Sequence, residues 1–234
     1  MEFREDPHTA TYVCKHVWTE RLPILYVAHD ADGDWQFLCG ADHSDPADCL
    51  VIGLEHVVER DPSLEAIADM CTSHVAERDE PTMPWSLRDE TLQHVKEVIE
   101  EHGWWVGLLE EEEGQPSFAY TIGLFETFGH PELMVFGLPV GTMHGILNQC
   151  GALIRDGARF VDGSSSEDVL NGYTVRFRAV TAKESYAAYL GYASGFYAER
   201  DFSVLQCVWP DKAHRFPGEA GVASFMTEKQ PLVP

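Results

Sequence analysis

Two prolines, Pro81 and Pro84, stand three residues apart in the aperiodic stretch Asp79-Glu-Pro-Thr-Met-Pro-Trp85. Neither a helix nor an inner strand runs through such a stretch, because proline lacks a backbone N–H and pushes the residue before it out of helical geometry. The chain is therefore read as a small N-terminal module at 1–78, a linker at 79–86, a second domain at 87–220 and a tail at 221–234.

The periodicity on either side favours short strands and amphipathic helices. Tyr12 to Val17 and Pro23 to His29 alternate as strands do, and Asp30-Ala-Asp-Gly33 is a turn into Trp35-Gln-Phe-Leu-Cys39. Val51 to Leu54 adds a strand, and Asp61-Pro62 supplies an N-cap and first-turn proline for a short helix. Beyond the prolines, Ser86 is placed to cap a helix carrying Leu92, Val95, Val98 and Ile99, with Gly103 at its end. Trp104 to Leu109 and Ser117 to Leu124 form a hairpin around the acidic turn Glu110 to Pro116, and Leu133 to Phe136 is a buried strand. Met143 to Ile154 is a helix stopping at Gly157, Gly163-Ser-Ser-Ser a loop and Tyr173 to Val180 a strand. An aromatic-rich helix is expected from Glu184 to Glu199, and a last strand from Val204 to Trp209. Strands and helices do not alternate strictly and hairpins open both modules, so the expected class is α+β with mostly antiparallel sheets.

Charge narrows the partners. Sixteen Lys and Arg against 39 Asp and Glu give a net charge of -23, which repels nucleic-acid phosphates and anionic lipid surfaces and suits a basic protein partner. The apolar runs are far shorter than the roughly 20 residues of a membrane-spanning helix. The opening Met1-Glu-Phe-Arg-Glu-Asp-Pro carries acids where a signal peptide needs a basic region. A cytoplasmic location is expected, with the six cysteines as reduced thiols.

Phe118-Ala-Tyr-Thr-Ile-Gly-Leu124, Gly129-His-Pro-Glu-Leu133, Phe136-Gly-Leu-Pro139, Ile146-Leu-Asn148, Val175-Arg-Phe-Arg178, Gln206-Cys-Val-Trp-Pro-Asp211 and Arg215-Phe-Pro217 follow one another along the second module. On these the region from about 85 to 217 resembles a large bacterial family known only as a domain of unknown function, DUF4262. The N-terminal module is similar to a segment often joined to that family, in which Cys-x-His and Trp-Gln-Phe-Leu-Cys-Gly recur. The resemblance implies no catalytic role.

Two groups of residues carry candidate chemistry. In the second module, Tyr120, Thr121, His130, Glu132, Asn148, Gln206, Trp209 and Asp211 sit at strand ends and helix starts, where ligand sites are commonly built. Pro131 keeps His130 out of helical geometry, so its imidazole either projects from a loop or satisfies turn amides. In the first module, Cys14 and His16, two apart on an expected strand, share a face, and Cys39 and His43 complete a tetrahedral zinc set, with Cys49 as an alternative ligand. The same four residues serve equally well as packing and surface groups.

No Gly-x-Ser-x-Gly elbow, calcium loop or phosphate-binding glycine loop is present in the sequence. The expected function is a non-catalytic binding or regulatory protein. The alternative is a flavin-binding oxidoreductase domain, because Tyr120 to Leu124 followed by Pro131 to Phe136 looks like the paired central strands of flavin reductase split barrels. Arg155, Arg159, Arg176 and Arg178 would then be the cations available to a flavin phosphate.

Overall fold

A computed structural model describes residues 3–41, 43, 45–112, 114–182, 186, 189–198 and 200–234. Contacts divide the chain into two compact units, Met1–His94 and Val95–Pro234, each built on its own six-stranded sheet. The fold is α+β, and each sheet contains one parallel pair among otherwise antiparallel strands. No helix among the described residues is long and apolar enough to cross a membrane.

In the first unit the strands are β1 (Ala10–Cys14), β2 (Tyr26–His29), β3 (Trp35–Leu38), β4 (Cys49–Gly53), β5 (His74–Glu77) and β6 (Ser86–Asp89), in the order β4-β1-β3-β2-β5-β6. One face is packed by α1 (Lys15–Trp18), α2 (Leu54–Arg60) and the 3-10 turn Pro62–Ile67, whose Leu54, Val57, Leu64 and Ile67 join Val13, Val27, Trp35 and Phe37 in a single core. Asp61 caps that turn by accepting from the Ser63 amide, as the Asp-Pro signal predicts.

Two expectations change around the prolines. Ser86 is a strand residue paired with Glu77 and not a helix cap. The helix α3 starts at Glu90 and runs to His102, with Asp89 Oδ1 accepting from the Leu92 amide. The stretch ahead of Ser86 is tied down by Arg78, whose buried guanidinium donates to the Pro81 and Ile24 carbonyls, pairs with Asp61 and lies 4.0 Å from the Trp85 ring centroid. The sequence reading did not name β5 or β6; Ser86, Leu87 and Arg88 of β6 are all exposed, so that strand has no apolar face to signal it.

In the second unit the strands are β7 (Trp105–Leu109), β8 (Phe118–Ile122), β9 (Glu132–Phe136), β10 (Ser165–Leu170), β11 (Tyr173–Val180) and β12 (Val204–Val208), in the order β10-β11-β12-β9-β8-β7. α5 (Val140–Arg155) covers one face through Met143, Ile146, Leu147, Cys150 and Ile154. Val95 and Ile99 of α3, with Tyr186, Leu190, Ala193 and Tyr197, cover the other. All five residues of β8, β9 and β12 are consequently buried. A short helix α4 (Leu124–Phe128) joins β8 to β9.

The stretch read as a serine loop at 163–166 runs into the edge strand β10, whose polar residues gave no strand signal. Within the helix expected at 184–199, Gly191–Tyr197 is a described helix; residues 184, 185, 187, 188 and 199 lie outside the described residues. Glu110 to Glu112 of the acidic turn are exposed, and Glu113 lies outside the described residues. The last residues pack back onto the unit through Gln230, which exchanges hydrogen bonds with the Trp209 backbone, and Val233, whose amide donates to Gln206.

Candidate functional site

The chain bends sharply after Cys14, where β1 ends and α1 begins, with the Cys14 sulfur accepting from the Val17 amide. This corrects the expectation of a strand through Val17. His16 reaches the same side as Cys14 through the first turn of a helix, not through strand alternation. Cys39 follows β3, the parallel neighbour of β1, and His43 follows a turn at Gly40, whose φ of 84° suits glycine. One ligand atom from each of Cys14, His16, Cys39 and His43 lies within 4.8 Å of all the others. Cys39 Sγ is 3.6 Å from His16 Nδ1 and 3.4 Å from His43 Nε2, and the two imidazoles stand 5.2 Å apart. Cys14 is buried and the other three are half-buried. Burial pushes the Cys14 thiol above its ordinary value. Cys49 faces Cys14 across the β1–β4 ladder but lies outside this group.

The eight polar candidates of the second unit are distributed among several separate contacts. Glu132, at the start of β9, is fully buried, and its carboxylate accepts from the Thr121 hydroxyl at 2.5 Å, the Gly123 amide at 3.0 Å, the Phe125 amide at 2.9 Å and the Tyr197 hydroxyl. Burial pushes this carboxyl up against the downward pull of those donors, and pushes the Tyr197 phenol up as well. Gly123, with φ of 109°, lets the chain turn from β8 into α4 so that the first amides of that helix point at Glu132.

His130 is 1% exposed. Its Nδ1 is 2.7 Å from the Pro131 carbonyl, and its Nε2 accepts from the Phe160 amide at 3.0 Å. Only the neutral ring with the proton on Nδ1 satisfies both contacts, and burial holds the imidazole below its ordinary value. His130 and Arg159 line a 520 Å³ cavity with Val161, Val180 and Leu205; neither Tyr120 nor Gln206 is among its lining residues.

Tyr120 and Gln206 are both paired with Met134 and so share the opposite sheet face from the one served by α5. Tyr120 is a core ring, its phenol pushed up to about 12 by burial and bonded to the Tyr192 backbone. Gln206 spends both ends of its amide on the Pro231 carbonyl and the Val233 amide. Asn148 accepts from Trp104 Nε1 and contacts His144. Trp209 donates from Nε1 to the Phe136 carbonyl at 2.7 Å. Asp211 closes a turn by accepting from the Ala213 and Arg215 amides and the Arg215 guanidinium, contacts that hold its carboxyl below the usual range. Trp209 and Asp211 do share one feature, a groove of 770 Å³ whose apolar lining includes Leu138, Tyr173, Phe225 and Met226.

The sequence reading missed Tyr197 as the partner of Glu132 and Gln230 as the clamp on Trp209. Neither role has a local signal, since each partner lies more than twenty residues away. The cations offered for a flavin phosphate are mostly engaged. Arg176 pairs with Glu219, Arg178 donates to the Val233 carbonyl, and Arg155 stands over the Trp104 ring. Arg159 is exposed beside His130. β8 and β9 pair as a flavin barrel would need, but the sheet ends at β7 and β10, which do not close on each other among the described residues.

No curated protein and no solved structure matches the chain significantly. Residues 98–223, more than half of the 234, match the family described as "Domain of unknown function (DUF4262)", with the matched segment covering all six strands of the second sheet, and the chain belongs to that family.

Proposed function

We infer that the protein works by binding rather than by catalysis, and that the second unit takes an amphipathic anion, an apolar body carrying one carboxylate, in the groove beside Trp209. The observation that carries this reading is the contrast between that groove and the polar residues around it. His130, Glu132, Gln206 and Asp211 give their polar atoms to the protein's own amides, carbonyls and hydroxyls, so none of these four is left over as a positioned acid, base or nucleophile. The groove has the volume of a small-ligand site and a mostly apolar wall that includes Phe225, itself 53% exposed.

Charge selects the occupant. In a chain with 39 acids and 16 bases, this rim carries Lys212 and Arg215 against Asp211. Arg215 already neutralises Asp211 across 2.8 Å, which leaves Lys212 for an incoming carboxylate. None of the six cysteines forms a disulfide, in keeping with residence in a reducing bacterial cytoplasm.

Decanoate is a suitable probe. It should raise the thermal unfolding midpoint of the full chain, Lys212→Glu and Phe225→Asp should each remove most of that shift, and decylamine should give none. Equal responses to decanoate and decylamine, or a shift that survives both substitutions, would overturn the reading.

A further inference from the structure

We propose that the first unit binds one zinc ion through Cys14 Sγ, His16 Nδ1, Cys39 Sγ and His43 Nε2 in a closed, structural site. Two of the six ligand–ligand distances are those of a tetrahedron, and the others lie within 4.8 Å. Zinc–sulfur bonds of about 2.3 Å and zinc–nitrogen bonds of about 2.05 Å place neighbouring tetrahedral ligands roughly 3.3–3.8 Å apart. Cys39 Sγ stands 3.6 Å from one imidazole nitrogen and 3.4 Å from the other, and the whole set fits within 4.8 Å.

Hydrogen bonding alone accounts poorly for this convergence. A thiol has one proton, yet two ring nitrogens and a second thiol gather around the Cys39 sulfur. The His43 ring also holds its Nε2 toward Cys39 while its buried Nδ1 has no hydrogen-bond partner among the described residues. With the ion on Nε2 the ring's proton sits on Nδ1, so the metal fixes the tautomer without itself supplying that atom a partner.

Ligand chemistry and fold both narrow the choice. Two thiolates and two imidazoles suit a borderline-soft ion and not calcium or magnesium. Four protein ligands leave no position for water or substrate, which is the pattern of a structural zinc. The ion would tie the end of β1 to the end of β3, parallel neighbours that no hairpin can join, and would hold His43 beside Cys39. Cys39 and Gly40 line a cavity of 630 Å³, and Gly40 and His43 line another of 510 Å³, so two of the four ligands border cavities.

The test uses the full chain, purified under reducing conditions without chelator and measured by elemental analysis. Zinc is expected at about one equivalent per chain. Cys39→Ser should lose the metal and Cys49→Ser should keep it, because Cys49 lies outside the ligand group. Loss with Cys49→Ser and retention with Cys39→Ser would overturn the ligand set. Should Cys39→Ser be insoluble, apo wild-type protein titrated with cobalt(II) is to show a thiolate-to-cobalt charge-transfer band and the visible spectrum of a tetrahedral ion. Reduced protein that contains no zinc and gives no such spectrum would overturn the site itself.

Discussion

In the first sheet β1 alternates exposed and buried residues from Ala10 to Val13, with Tyr12 41% exposed, whereas in the second sheet every residue of β8, β9 and β12 is buried. The difference follows from cover. The first sheet packs one face against α2 and the 3-10 turn and leaves Tyr12 and Val51 of the other exposed, though Ala28 and Val75 on that face are buried, and the second has α5 on one face and Val95, Ile99, Tyr186 and Tyr197 on the other. A sheet with two covered faces gains more from apolar burial, and its few inner polar groups must be satisfied internally. Glu132 with Thr121 and Tyr197 is how the second unit meets that demand. The first unit has one buried apolar cluster where the second has two, and the cysteine–histidine group at the ends of β1 and β3 is where a metal would make up the difference.

The sharpest way to break this comparison is to strip the metal. Chelation under reducing conditions should abolish amide-exchange protection in β1 and β3 while β8, β9 and β12 keep theirs, because a structural zinc supplies folding free energy directly. Equal loss in both sheets would show that the two units do not differ in this respect. Next in size is Glu132→Ala, which takes the acceptor from the Thr121 and Tyr197 hydroxyls and the Phe125 amide, while the Gly123 amide keeps the Tyr197 oxygen, and should cost about 3–5 kcal/mol in chemical denaturation.

His130→Ala should cost about 1–3 kcal/mol, since it orphans the Phe160 amide and the Pro131 carbonyl. It also carries a pH signature. The folded imidazole is held below its ordinary value, so between that depressed value and about 6.5 the unfolded chain binds the extra proton. The stability His130 contributes is complete above about 6.5 and falls as the pH drops through that window. Unfolding midpoints between about pH 7 and 5.5 should therefore fall less steeply in the variant than in the wild type. Parallel slopes would show that the ring is not held neutral.

The smallest effect compares the sheets directly. Val51→Thr, on a β4 residue that is 66% exposed, should change stability by no more than about 0.5 kcal/mol, whereas Val135→Thr in fully buried β9 should cost about 1–3 kcal/mol. Similar costs at the two sites would remove the contrast in cover.

What a residue does with its near neighbours was legible in the chain itself. The hairpin β7–β8, the strand β11 at Tyr173–Val180, the helix α5 with its stop near Gly157, and the Asp61 cap all follow from periods and capping residues within a few positions of one another. The family was legible for the same reason, since its motifs are contiguous. The four metal-site residues could be nominated from their types, although the reason they converge, a helical turn after Cys14, could not be read from the strand pattern. The fate of the second unit's polar residues belonged wholly to the tertiary structure. Glu132 meets Tyr197 across 65 residues, His130 meets Phe160 across 30, and Gln206 meets Val233 across 27. A histidine or glutamate in a sequence has the same chemistry whether its lone pairs face solvent, a ligand or a distant backbone amide, and only the packing of the two sheet faces decides among them.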